Sequence, residues 1–141
     1  MPNSPKSNLP RPPVLSFLLC REIFTDERTR ESILIGPRCM YPVSELPATI
    51  VMSASIFVGG GHGQYRIGLS LRDANDDEVW GCEPPEPVEH PDPLMPHLIT
   101  MMDLQISVRD AGRHQMVVLI NGEEVLQSPF IVIPPAEFDP E

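Results

Sequence analysis

The stretch most suggestive of chemistry is VGGGHGQYRIGLSLRDANDDE, Val58–Glu78. Its glycines around His62 have the look of a phosphate cradle or an oxyanion loop, and Asp73, Asp76, Asp77 and Glu78 have the look of a cation site. A phosphate cradle needs glycines that open a helix, where backbone N–H groups and the dipole meet the anion. Here the glycines open a segment with strand periodicity, and no Gly-Lys-Ser/Thr follows. An oxyanion loop of the His-Gly-Gly-Gly kind needs the reverse order and a G-x-S-x-G elbow, which is absent. A calcium loop starting at Asp73 would carry Gly at its sixth position and Glu at its twelfth. The chain has Glu78 and Pro84 there. Both ends therefore read as turns, with glycine supplying positive φ and Asp and Asn bonding their own backbone. Asp103 and Asp110 lie too far along the chain to complete a cation site from sequence alone.

The other reactive side chains stand in plain contexts. His90, Asp92 and His97 share a proline loop, where the rigid spacing of a zinc site is lacking, and they read as solvated. His114 lies in an alternating strand and reads as a satisfied core histidine. Cys20, Cys39 and Cys82 are odd in number and form no Cys-x-x-Cys pair, so neither a zinc ribbon nor a redox motif is indicated. Cys20 and Cys39 fall in strand-like runs, where cysteine acts as a small hydrophobe. Trp80 reads as a core or rim residue of a short strand Glu78–Cys82. No serine or cysteine nucleophile has a recognisable partner. The expectation is no catalytic residue, no metal and no cofactor.

The elements that position these residues are strands. QYRIGLSLRD places Tyr65, Ile67, Leu69 and Leu71 on one face, and MMDLQISVRD places Met102, Leu104, Ile106 and Val108 on one face, the period-two pattern of half-buried antiparallel strands. Thr49–Val58, Arg113–Ile120 and Pro129–Ile133 are rich in β-branched and large apolar residues, and TDERTRESILIG reads as a hairpin. Turn signals separate these runs, the strongest being Asn121-Gly122. About eight such strands without crossover helices predict an all-β, immunoglobulin-like antiparallel β-sandwich. The expected core is Tyr65, Ile67, Leu69, Met102, Leu104, Ile106, Val108, Met116, Val118, Ile120 and Phe130. Val117, Leu119, Ile131 and Ile133 then fall on an outer face, and are expected to form one apolar patch that serves as a homodimer or partner interface. Cover by a proline-rich tail and plain β propensity are the competing accounts.

The chain has 141 residues, 18 of them proline, and a net charge of −10, which fits one domain. Prolines crowd residues 1–13, 83–96 and 134–141, so 14–133 is read as a single sandwich domain between a Pro-rich N-terminal tail and an acidic C-terminal tail. The acidic balance argues against nucleic acid or an anionic membrane as partner and suits a basic protein. Unpaired thiols suit a reducing compartment, and Val14–Cys20 reads as a strand and not a signal peptide, so a cytoplasmic location is expected.

The order CREIFTDERTRESILIG, LPATI, GGGHGQYRIGLSLRDANDDE, HPDPL and DAGRHQMVVLINGEEVLQSPFIVI resembles an uncharacterised family of small bacterial β-sandwich proteins, a domain of unknown function. The resemblance runs from about Leu15 to Ile133, with His114 and Pro37 standing where an aromatic is usual. It implies an immunoglobulin-like sandwich and no activity. The functional expectation is a non-catalytic interaction or accessory domain with an unidentified protein partner or self-association. A calcium-type or catalytic loop site and a structural homo-oligomer subunit are the rivals.

Overall fold

A computed structural model describes residues 14–29, 31–59, 63–90 and 94–135. They form eleven strands: β1 (Val14–Thr25), β2 (Ser32–Arg38), β3 (Met40–Pro42), β4 (Ala48–Val58), β5 (Gly63–Tyr65), β6 (Ile67–Arg72), β7 (Glu78–Cys82), β8 (Val88–His90), β9 (His97–Val108), β10 (Gly112–Ile120) and β11 (Glu123–Ile133). One sheet runs β2-β1-β4-β9, a second β3-β11-β10-β6-β7, and β5 and β8 make a two-stranded ribbon. β4 and β9 stand where an immunoglobulin domain has its B and E strands, and β6, β10 and β11 stand where it has C, F and G. The fold is an immunoglobulin-like β-sandwich. The two expected tails lie largely outside the described residues.

Eleven segments replace the expected eight for local reasons. The run Gln64–Arg72 breaks at Arg66, where Asn121 accepts a hydrogen bond from the Arg66 N–H at 3.0 Å and returns one to the Arg66 carbonyl at 2.9 Å. Below the break β5 leaves the sheet to pair with β8, while β6 stays on β10. TDERTRESILIG folds as the β1–β2 hairpin, with Thr25 opposite Ser32. The three-residue β3 pairs with β11 in parallel, the one departure from the antiparallel expectation among the described ladders.

The inward faces close on a shared interior that includes Phe17, Leu19, Tyr41, Met52, Ile56, Leu69, Leu71, Leu104, Ile106, Met116, Val118 and Phe130. Tyr41 stacks on Phe130 at 4.2 Å between ring centroids. Every residue of the expected core is buried except Met102, which is 51% exposed. The pairing of β4 with β9 shifts by one residue between Met52 and Ala54, and Asp103 adopts φ 54°. That bulge puts two residues opposite one. Parity changes across it, so Met101 and Leu104 point inward and Met102 points out.

Candidate interaction surfaces

The acidic stretch folds as a turn built on one carboxylate. Asp73 Oδ1 accepts the backbone N–H groups of Asn75 at 2.9 Å and Asp77 at 3.0 Å, and the Asp73 N–H donates to the Asp77 carbonyl at 3.0 Å. Its oxygen is spent on closing the loop. Among the described residues no three His, Cys, Asp or Glu side chains converge as metal ligands would. Of the glycine stretch, Gly60, Gly61 and His62 lie outside the described residues, as do Pro91 and Asp92 of the proline loop. His114 is buried, with Nδ1 3.1 Å from the Gly112 carbonyl and its ring edge-on to Phe130. It is the satisfied core histidine expected. Cys20, Cys39 and Cys82 are free thiols, and burial raises the pKa of Cys20 and Cys82. Trp80 is half-buried in β7 against the core.

The expected patch of Val117, Leu119, Ile131 and Ile133 does not assemble. The hairpin register sets Val117 opposite Gln127, and Ile131 opposite Arg113. Val117 and Ile131 are thus four pairs apart, about 13 Å at 3.3 Å per residue. Ile131 and Ile133 flank Met40 and Pro42 of β3 instead. Val117 is 0% exposed, while the other three are half-buried. It lies outside the interior cluster, so its cover comes from the other side. Arg72 pairs with Gln115 and Glu124 with Leu119, and the Arg72 guanidinium bonds the Glu124 carboxylate. An ion pair between those two levels crosses β10 over Val117. The same guanidinium donates from Nε to Ser70 at 3.3 Å, and Ser70 donates to Glu78 at 2.7 Å. Glu78, Ser70, Arg72 and Glu124 therefore form a polar lattice over this face, and Arg72 contributes an apolar stem to it.

Met40 is 51% exposed beside Ile131, and a larger set of exposed apolar side chains lies on the opposite side of the molecule. The outer face of β2-β1-β4-β9 carries Ile33 at 61% exposure, Phe24 at 52%, Leu18 at 45% and Val51 at 53%, with Met102 at the bulge. Phe24 pairs with Ile33 across the β1–β2 hairpin. Ile35, Phe57 and Leu98 are half-buried on the same face. Its floor is small and buried: Cys20 pairs with Ser53, and Leu18 with Ser55. Cys20 donates to the Ser53 carbonyl at 3.6 Å, and Ser53 Oγ accepts the Asp103 N–H at 3.3 Å. The charged residues that strand alternation puts on this face are Glu22 and Asp103, both acidic. Sequence reasoning missed this surface because Leu18, Phe24 and Ile33 occur in runs apolar on both faces. The signal available was that β1 and β2 lack the polar alternation of β6 and β9.

No family model matches the chain, and no curated protein matches it in sequence. Solved structures similar in shape include two from Pseudomonas species. One is an immunoglobulin-like protein from Pseudomonas aeruginosa, 8% identical, with TM-score 0.38 over 89% of this chain and 98% of that one. The other is an alkylpurine DNA glycosylase from Pseudomonas fluorescens bound to DNA containing an abasic-site analogue, 12% identical, with TM-score 0.46. That match covers 67% of this chain, which spans only 27% of the glycosylase. No helix among the described residues is long and apolar enough to cross a membrane.

Proposed function

We propose that the protein is a non-catalytic interaction domain that docks a partner protein on the outer face of β2-β1-β4-β9. The observation that carries the reading is the exposure of Leu18, Phe24, Ile33, Val51 and Met102 on one side of the sandwich. Exposed apolar side chains on one sheet face, with Phe24 beside Ile33 across the hairpin, are the kind of feature that marks a contact site. Charge selects the occupant. Among the described residues, strand alternation puts Glu22 and Asp103 and no cation on this face, on a chain of net charge −10. A second copy would bring acid against acid, whereas a partner with apolar side chains and a basic rim complements both features. The free thiols fit a reducing compartment, and with it the cytoplasm.

The test uses an amphipathic basic peptide as probe, with light scattering on the protein alone. Saturable, salt-weakened binding that disappears in a Leu18→Glu, Val51→Glu variant with unchanged circular dichroism is the expected outcome. No binding, or binding indifferent to both substitutions, overturns the assignment. A dimer at micromolar concentration that the same variant dissolves transfers the face to self-association.

A further inference from the structure

A second feature adjoins that face and shares Val51 with it. Arg21 and Arg38 line one cavity of about 500 Å³, walled by the Pro42–Pro47 connection and by the first half of β4, with Ser44 and Thr49 on its lining. The β1–β2 register pairs Leu19 with Arg38 and Glu22 with Ile35, which sets Arg21 opposite Gly36. The two arginines are then diagonal neighbours on one face of adjacent strands, about 7–8 Å apart. Gly36 makes the arrangement feasible. It sits at φ 70°, and a Cβ there would lie 3.3 Å from Arg21 Cβ and 3.9 Å from Arg21 Nε. The Arg21 stem therefore runs across the space that a side chain at 36 would fill.

Like charges on neighbouring strands repel, and a chain with twenty Asp and Glu has ample means of pairing them. Arg72 is paired in that way, to Glu124 and Asp76. Among the described residues neither Arg21 nor Arg38 has an ion pair, although Glu45 stands on the rim of the same cavity. Two arginines on the lining of one recess, with Ser44 and Thr49 on the same lining, supply the donors that an oxyanion with several acceptor oxygens needs. We infer that this cavity is a binding site for a small dianionic oxyanion, a phosphoryl group or a dicarboxylate, held between Arg21 and Arg38.

The experiment titrates the intact protein with inorganic phosphate and with succinate at low, constant ionic strength, by calorimetry and thermal shift, with chloride as the blank. Saturable binding of at least one dianion is expected, and the stronger of the two identifies the ligand as phosphoryl or dicarboxylate. Arg21→Gln and Arg38→Gln should each weaken it by on the order of tenfold or more, the scale of a lost charge-assisted hydrogen bond. Glu45→Gln should tighten it by removing a rim carboxylate. Arg113→Gln, an exposed arginine on the other sheet, should leave it unchanged. Absence of saturable binding by both anions overturns the inference. So does equal loss in the Arg113 variant, which would mark general surface attraction.

Discussion

Arg72 shows how one side chain decides whether a neighbour is a surface or an interior residue. Its guanidinium reaches Glu124 across β10, and Val117 beneath is 0% exposed. If the stem is the working part, Arg72→Met should be milder than Arg72→Ala in denaturant melts, because methionine keeps an apolar chain over Val117. Equal losses in the two variants would assign the effect to the charge. The ion pair also titrates. The Arg72 hydrogen bond holds the Glu124 carboxyl below its ordinary range, so whatever the pair contributes is present above the unfolded carboxylate pKa. It fades as pH falls through the lowered value. A second comparison separates interior from surface on one strand. Leu104→Ala should cost about 2–5 kcal/mol, the range for truncating a buried leucine. Met102→Ala, two residues away but at the bulge and pointing outward, should stay within about 0.5 kcal/mol, as surface changes do. A large loss at Met102 in the isolated protein would show that its face is covered.

At the scale of elements, the sequence was most legible where local chemistry and long-range packing agreed. The Asn121-Gly122 hairpin follows from two residues that accept positive φ, and they do so at 53° and 81°. The Asp73 turn follows from an aspartate that bonds backbone two and four residues ahead. The β9 bulge was not legible, because nothing in MMDLQISV separates an unbroken alternation from one interrupted at Asp103. Only the register against β4 places it. The outer surface failed for a related reason. Alternation says which face a residue takes, but the hairpin register sets Val117 and Ile131 four pairs apart, and a side chain from β6 covers the first. The Asn121 side chain adds a further prediction, since it pins the Arg66 break where β5 leaves β6. Asn121→Ala loses that bond and strains a positive-φ site, with an expected cost of about 1–3 kcal/mol. Asn121→Gly relieves the strain and loses only the bond, so it should be the milder change. The reverse order in melting experiments would show that the side-chain bond is of little account.

For the molecule as a whole, the two tyrosines offer a reading of cooperativity. The chain has only Tyr41 and Tyr65, and both rings are buried, at 1% and 3% exposure. Tyr41 stacks on Phe130 where β3 joins β11, and its hydroxyl donates to the Arg38 carbonyl at 2.8 Å. Tyr65 sits at the other end of the sandwich, in the β5–β8 ribbon. Burial pushes the Tyr65 phenol from 10.0 up to about 12 and raises Tyr41 further. A phenol whose folded pKa lies above its unfolded value favours the fold fully below the unfolded pKa. That contribution drains away as pH rises from about 10 towards 12, because the unfolded chain then releases protons that the fold retains. Neither ring can ionise at its ordinary pKa without leaving its site. The expected result of an alkaline titration is one transition, well above pH 10, in which tyrosinate absorbance and loss of β-sheet circular dichroism coincide. Tyrosinate that forms near pH 10 while the dichroism holds would mean that a ring reaches water in the folded state. A transition in two steps would mean that the Tyr65 ribbon opens apart from the Tyr41 end, so that the sandwich is two cooperative units where a shared interior predicts one.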